Sequence, residues 1–316
     1  MRSIDTIMKK QIHLTASLSD AGALFAFKSA TTIFNALPAA DAYQLGARLT
    51  RLWLRLDRRH RQVIEKNLAL ALQLEPGTPA SLQLQAEISQ NLGYNLCELF
   101  LLQNSAYRRL LQKNLQITGL NNLAPVLAEN SGAIIVGAHF GNWELAGFLS
   151  KVIKKPITGI AKPIKGKPRL YAAIENTRKA AGLNTVDKIG SAGTLVRILK
   201  KGGIVALLAD QRARRRYSIW SPFFGHRVAT IPSPAVLARL SGSPILPAFL
   251  SRIRPLHHQL VIEEPLFVPI TGNNREVIAD YTERINEILE QQIRRNPAQW
   301  FWPHDRWRKI KPANSD

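Results

Sequence analysis

The stretch that decides the fold is Gly132-Ala133-Ile134-Ile135-Val136-Gly137-Ala138-His139-Phe140-Gly141-Asn142-Trp143-Glu144. Ala133 to Gly137 is a short apolar run suited to a buried strand. His139 falls where that run stops, Gly141 permits a tight turn, and Asn142 is a good helix cap. A helix starting near Trp143 follows, with Leu145, Phe148, Leu149 and Val152 on one side.

The same alternation continues toward the C-terminus. Ile157 to Ala161, Gly203 to Ala209, Ile245 to Leu250 and Gln259 to Glu263 read as strands. Between and after them, Arg169 to Ala181, Thr194 to Lys201, the segment from Ser233-Pro234 to Gly242, and Val277 to Ile293 read as helices. Asn121 to Asn130 also looks helical. Repeated strand–helix alternation predicts an α/β class with a largely parallel sheet flanked by helices. Sites in such folds gather at the carboxyl ends of strands.

Upstream of residue 119 the texture is helical, which predicts a membrane-associating helical portion at 1–118 and an α/β domain at 119–316, built as one continuous unit. Ala21 to Pro38 is mildly apolar but carries Lys28, Thr31, Thr32 and Asn35. It is short of the ~20 apolar residues that a span needs, so it is expected as an interfacial or buried helix. From Leu45 to Val63, Leu45, Leu49, Leu52, Trp53 and Leu56 recur at helical spacing, with Arg48, Arg51, Arg55, Arg58, Arg59 and Arg61 around them. That pattern fits a basic amphipathic helix on an anionic membrane, and equally a domain helix with an arginine-rich outer face. Glu75 to Pro79 breaks the chain, and Leu84, Ile88, Leu92, Leu96 and Leu99 make a stripe on the next helix.

Lys and Arg total 43 against 22 Asp and Glu, a formal net charge of +21. Such a surface seeks anions: anionic lipid, an acidic protein or nucleic acid. The single cysteine, Cys97, rules out an internal disulfide and a zinc site built on several cysteines. No G-x-S-x-G elbow, G-x-G-x-x-G turn, phosphate-binding loop or H-E-x-x-H motif occurs. A serine hydrolase, a Rossmann dehydrogenase, a P-loop enzyme and a zincin therefore lose support.

Three clusters carry candidate chemistry. In the first, Asn142 caps the helix and places Glu144 in its first turn, from where the carboxylate can fold back on His139. A carboxylate on one ring nitrogen makes the other a base toward a hydroxyl. The amides at the helix start are available to an oxyanion. The second cluster is Asp210-Gln211-Arg212 after the Gly203 strand, followed by Arg214 to Arg216 and Pro222-Phe223-Phe224-Gly225. Its arginines suit a phosphate or pantetheine and its aromatic pair an acyl groove; the alternative is a solvated loop beside two core phenylalanines. The third, Gln299 to Lys311, holds Trp300, Phe301, Trp302 and Trp307 among basic residues. That suits a lipid–water interface, or aromatic packing that anchors the last helix to the sheet.

With those blocks in order, the chain resembles the bacterial lipid A biosynthesis late acyltransferases, within the lysophospholipid acyltransferase superfamily. His139-Phe140-Gly141-Asn142-Trp143-Glu144 looks like that family's H-x4-D/E motif, and Asp210-Gln211, Pro222 to Gly225, Thr230 and Gln299 to Trp302 look like further blocks. The resemblance implies a glycerolipid acyltransferase-like fold at the cytoplasmic face of the inner membrane. It implies an acyl carrier protein thioester as donor and a hydroxyl of a lipid A precursor as acceptor, with another glycolipid or a lysophospholipid as the alternative. Catalysis falls to His139 and Glu144. Substrate contacts are expected at Asn142, Arg178, Asp210, Gln211, Arg212, Phe223, Phe224 and Gly225, and at Lys162, where the family often has arginine. No metal, cofactor or nucleic acid is called for. A nucleic-acid-binding protein is the rival from charge alone, though no binding module is recognisable.

Overall fold

A computed structural model describes residues 2–123, 132–187 and 190–311. The predicted helix at Asn121 to Asn130 lies largely outside the described residues. Five helices come first: α1 (Arg2–Ala36), α2 (Ala39–Leu56), α3 (Arg58–Leu72), α4 (Pro79–Leu101) and α5 (Ser105–Lys113). The expected helix from Leu45 to Val63 is two. It breaks at Asp57, whose carboxylate accepts from the His60 amide and caps α3. At the break before α4, Thr78 caps the helix and Pro79 opens it.

Seven strands form the main sheet: β1 (Leu115–Thr118), β2 (Ala133–Gly137), β3 (Ile157–Ala161), β4 (Leu183–Asp187), β5 (Ile204–Leu208), β8 (Ile245–Arg254) and β9 (His257–Ile262). Their spatial order is β1-β9-β8-β2-β5-β3-β4. All neighbours are parallel except β8 and β9, which form an antiparallel hairpin. A smaller antiparallel sheet holds β6 (Ile219–Phe223), β7 (His226–Thr230) and β10 (Ile310–Lys311). The α/β class, the largely parallel sheet and the helical N-terminal portion are as the sequence predicts. β1, β4 and the β6–β7 hairpin escaped the pattern reading. The first two are short edge strands of alternating burial, and Pro222 interrupts the third.

α2 lies so close on α4 that a Cβ on Gly46 would fall 2.3 Å from the Gly93 carbonyl oxygen. Its buried face is therefore mostly small, Ala42, Gly46, Ala47 and Thr50 together with Tyr43 and Leu54. The stripe of large apolar residues turns outward: Leu49 is 43%, Leu52 52%, Trp53 37% and Leu56 77% exposed. Among the described residues no helix is long and apolar enough to cross a membrane.

The C-terminal aromatic run is core. Trp300, Trp302 and Trp307 are at most 1% exposed, so they pack the last helix and the small sheet against the main one and do not meet lipid. Gln299 clamps β8 from the side: its amide donates to the Arg252 carbonyl, and its oxygen accepts from the Arg252 amide.

Candidate functional site

β2 and β5 are paired neighbours, in register from Ala133 opposite Ile204 to Gly137 opposite Leu208. Two residues further on, His139 and Asp210 therefore leave the sheet side by side at its carboxyl edge. The Asp210 carboxylate accepts from the His139 amide at 3.1 Å and from His139 Nδ1 at 2.8 Å. It also accepts from Trp300 Nε1 at 2.8 Å. An ionised carboxylate only accepts, so Nδ1 carries the proton and Nε2 is left as the basic nitrogen. Gln211 brings its side-chain amide to 3.4 Å from that Nε2.

The carboxylate on the imidazole is thus Asp210, not Glu144. Glu144 is gripped bidentately by Arg178, with Nε and a terminal nitrogen each at 2.8 Å, and Arg178 also pairs with Glu175 at 2.8 Å. The reason is topological: the helix Pro168–Ala181 packs over this turn and presents a guanidinium that the local sequence around Glu144 does not reveal. Glu144 still acts on the ring through its charge. Burial of His139 disfavours the imidazolium, but the Asp210 charge and hydrogen bond, with the Glu144 charge added, outweigh it and raise the His139 pKa above the ordinary 6.5. Burial would raise the Asp210 pKa, yet the charge and hydrogen bond of His139 and the bond from Trp300 hold it below the usual carboxylate range.

The turn carrying these residues is braced from beneath. Gly141 has φ +55°, and a Cβ there would sit 1.7 Å from the Leu250 carbonyl oxygen, so this position requires glycine. Asn142 accepts from the Glu144 amide and caps the 3₁₀ turn Trp143–Phe148. Its own amide donates to Glu98 at 2.5 Å, and Asn95 donates to the Gly141 carbonyl at 2.7 Å. Glu98 is fully buried on α4, where it pairs with Arg252 at 2.6 Å and accepts from Tyr43 at 2.6 Å. Asn142 is therefore a cap and an anchor, and its burial leaves it no face for a substrate. The amides expected to await an oxyanion are largely committed: Glu144 to the Asn142 side chain, Leu145 to the Asn142 carbonyl and Gly141 to Gln299. Glu98 was missed by the sequence reading; a lone acid inside an apolar helical stripe was the available signal.

A cavity of about 430 Å³ opens beside His139. Glu144, Lys162, Arg178, Gln211 and Arg212 line it, so the structure brings these five predicted residues together with His139. Arg212 Nε is buried without a hydrogen-bond partner among the described residues. Apart from Thr185 and Ser233 the rest of the wall is apolar, and it includes Gly137, Ile135, Ala206 and Gly159 on the sheet. Phe223, Phe224 and Gly225 belong elsewhere. Phe223 and Phe224 are 0% and 5% exposed, and Phe223 stacks on Trp307 at 5.6 Å. Gly225, with φ +74°, makes the turn between β6 and β7. The acyl groove expected at the aromatic pair is therefore core, because the hairpin folds those rings against the C-terminal tryptophans.

Among known proteins, the family model described as bacterial lipid A biosynthesis acyltransferase matches residues 8–309. The chain belongs to this family. The acyltransferase is 26% identical over 279 residues to the lipid A biosynthesis lauroyltransferase of Escherichia coli (strain K12), covering 87% of this chain and 88% of that protein. It is 28% identical over 275 residues to the lipid A biosynthesis palmitoleoyltransferase of the same organism, covering 85% of each. It is also 26% identical over 250 residues to a phosphatidylinositol mannoside acyltransferase of Mycobacterium tuberculosis (strain CDC 1551 / Oshkosh), covering 77% and 76%. In this acyltransferase the cavity sets Nε2 of His139 beside a largely apolar chamber.

Proposed function

We propose that this acyltransferase moves a fatty acyl group from an acyl carrier protein thioester onto a hydroxyl of a lipid A precursor, by direct transfer at His139. The observation that carries the reading is the Asp210–His139 pair at the rim of a chamber that is polar at its mouth and apolar inside. His139 Nε2 takes the proton of the acceptor hydroxyl while Asp210 holds the ring and balances the imidazolium. The oxygen attacks the thioester carbonyl, and the thiolate leaves with the proton returned by His139. Glu144 is the through-space partner that raises the basicity of the imidazole, and it fixes Arg178 in the wall. The Gln211 amide, beside Nε2, is placed to donate to the developing oxyanion. No acyl-enzyme is needed: Cys97, the one thiol, is buried on α4, and burial pushes its pKa up to about 12.

Substrate class follows from the mouth. Lys162, Arg178 and Arg212 gather there, and the unpartnered Arg212 Nε seeks an acceptor. Both a phosphorylated glycolipid and the phosphopantetheine of a carrier protein supply one. A net charge of +21 favours an acidic carrier protein and an anionic bilayer alike. The outward stripe of α2, Leu49, Leu52, Trp53 and Leu56 among Arg48, Arg51 and Arg55, has the composition of an interfacial helix. It supports placement on an anionic membrane surface; that this surface is the cytoplasmic face of the inner membrane is part of the proposal.

The direct test is His139→Ala. Transfer of a labelled acyl chain from carrier-protein thioester to lipid acceptor should fall by about 10²–10⁴-fold, the usual worth of a general base, with the thermal melt unchanged. Undiminished transfer by that variant refutes the assignment.

A further inference from the structure

We propose that Gly159, in the middle of β3, sets the length of the acyl chain this enzyme accepts. The inference rests on the acyl-transfer reading of the cavity and adds to it the residue that limits the chain. Register places Gly159 opposite Ala206, and Ala206 opposite Ile135, so the three form one rung across the sheet face that floors the chamber. Residues in mid-strand at the centre of a seven-stranded sheet are normally covered. Here Ile135 and Ala206 remain partly accessible, because what lies over them is the cavity. One step deeper, Ile157 still lines the cavity, but its neighbours in the rung, Ile204 and Ala133, do not, and all three are at most 1% exposed, so the floor closes there.

Gly159, buried beside Leu183, lines the cavity and is the member of that rung with no side chain. A Cβ there would meet only Leu183 Cδ1 at 3.4 Å, Leu183 Cδ2 at 3.7 Å and the Ala206 carbonyl oxygen at 3.8 Å, all ordinary contacts. The backbone φ is in the range any residue adopts, so neither a turn nor a close backbone approach calls for glycine. A glycine inside a strand costs stability relative to almost any other residue, unless something must lie against it. The acyl chain is the object that fits. Gly137, by contrast, would meet the Ala248 carbonyl oxygen at 2.8 Å, which accounts for it structurally.

Depth follows from strand geometry. Ile135 is four residues below His139 on β2, about 13 Å at ~3.3 Å per residue. An extended alkyl chain advances about 1.3 Å per bond, slightly more than the ~1.2 Å per bond of an extended backbone, so an acyl chain starting at His139 reaches this rung after roughly ten carbons. A side chain added at Gly159 meets every chain longer than that.

The test compares wild type, Gly159→Ala and Gly159→Leu with a series of saturated acyl thioesters that differ by two methylenes, alone and in competition. Burial of each methylene is worth ~0.8 kcal/mol, or about fourfold. In Gly159→Leu the ratio of long-chain to short-chain transfer should therefore drop about fifteenfold for each two-methylene step past roughly ten carbons. Gly159→Ala should give a smaller shift of the same sign, with melting temperatures at or above wild type for both variants. A chain-length profile identical to wild type in Gly159→Leu, or a loss equal at all lengths, overturns the proposal. Titration calorimetry of the matching free fatty acids gives the same comparison without turnover. Wild-type binding that tightens with length, and a Gly159→Leu variant that stops tightening near ten carbons, supports the length limit even if no lipid hydroxyl is acylated. In that outcome the acyl-transfer reading fails and the chamber assignment stands.

Discussion

Replacing Asp210 by Asn separates the two carboxylates that surround His139. Asp210 is 1% exposed and accepts from three donors: the His139 amide, His139 Nδ1 and Trp300 Nε1. Asparagine has nearly the same shape but only one accepting oxygen. If that oxygen keeps the His139 amide and the Trp300 indole N–H, its NH₂ group faces Nδ1 and demands a lone pair there, which moves the ring proton to Nε2 and removes the base. In the serine protease triad the equivalent change lowers kcat by about 10⁴, and a fall of about 10³–10⁴ is expected here on the same ground. The loss of a buried charge-assisted hydrogen bond costs about 1.5–3 kcal/mol, so the protein should still fold. The pH profile adds a readout that a merely structural defect would not move. In wild type the base must be neutral, so kcat/KM rises with pH through a His139 pKa above 6.5, since the ionised Asp210 and Glu144 both favour the imidazolium. Removing the Asp210 charge moves that limb to lower pH while lowering the plateau. Glu144→Gln should move the limb in the same direction by a smaller amount, because it acts by charge alone. Initial rates of acyl transfer across the pH range decide the matter. An Asp210→Asn enzyme within threefold of wild type, with its acid limb unmoved, would refute the assignment.

Two further outcomes follow from the scaffold. Arg51→Glu with Arg55→Glu alters only exposed positions on α2; at about 1 kcal/mol per basic residue near an anionic surface, the pair should weaken cosedimentation with anionic vesicles by well over tenfold and leave the melt unchanged. Vesicle binding equal to wild type would remove α2 from the membrane contact. Glu98→Ala leaves the Arg252 guanidinium, 2% exposed, without its carboxylate; breaking a buried pair in this way costs about 3–5 kcal/mol. It also frees Asn142, so a marked drop in the denaturation midpoint should accompany lost transfer, and an unchanged midpoint would mean the network is not structural.

What the sequence determined alone was local and periodic. The run from Ala133 to Glu144 specified a strand, a glycine turn and a capped helix, and the strand–helix alternation specified a parallel sheet, because burial on both faces leaves continuous apolar runs. The ordered blocks pointed to the acyltransferase family on their own. What only the tertiary structure decided was partnership. Asp210 meets His139 because β5 lies beside β2, and Arg178 takes Glu144 because the Pro168–Ala181 helix folds over the turn. Pairing across a sheet depends on strand order, which no local pattern encodes. Orientation was likewise tertiary: α2 turns its leucines outward because Gly46 and Gly93 let two backbones close on each other, and the C-terminal tryptophans face inward because Asp210 and the small sheet receive them. Helical spacing shows that a stripe exists; only packing decides which stripe is buried.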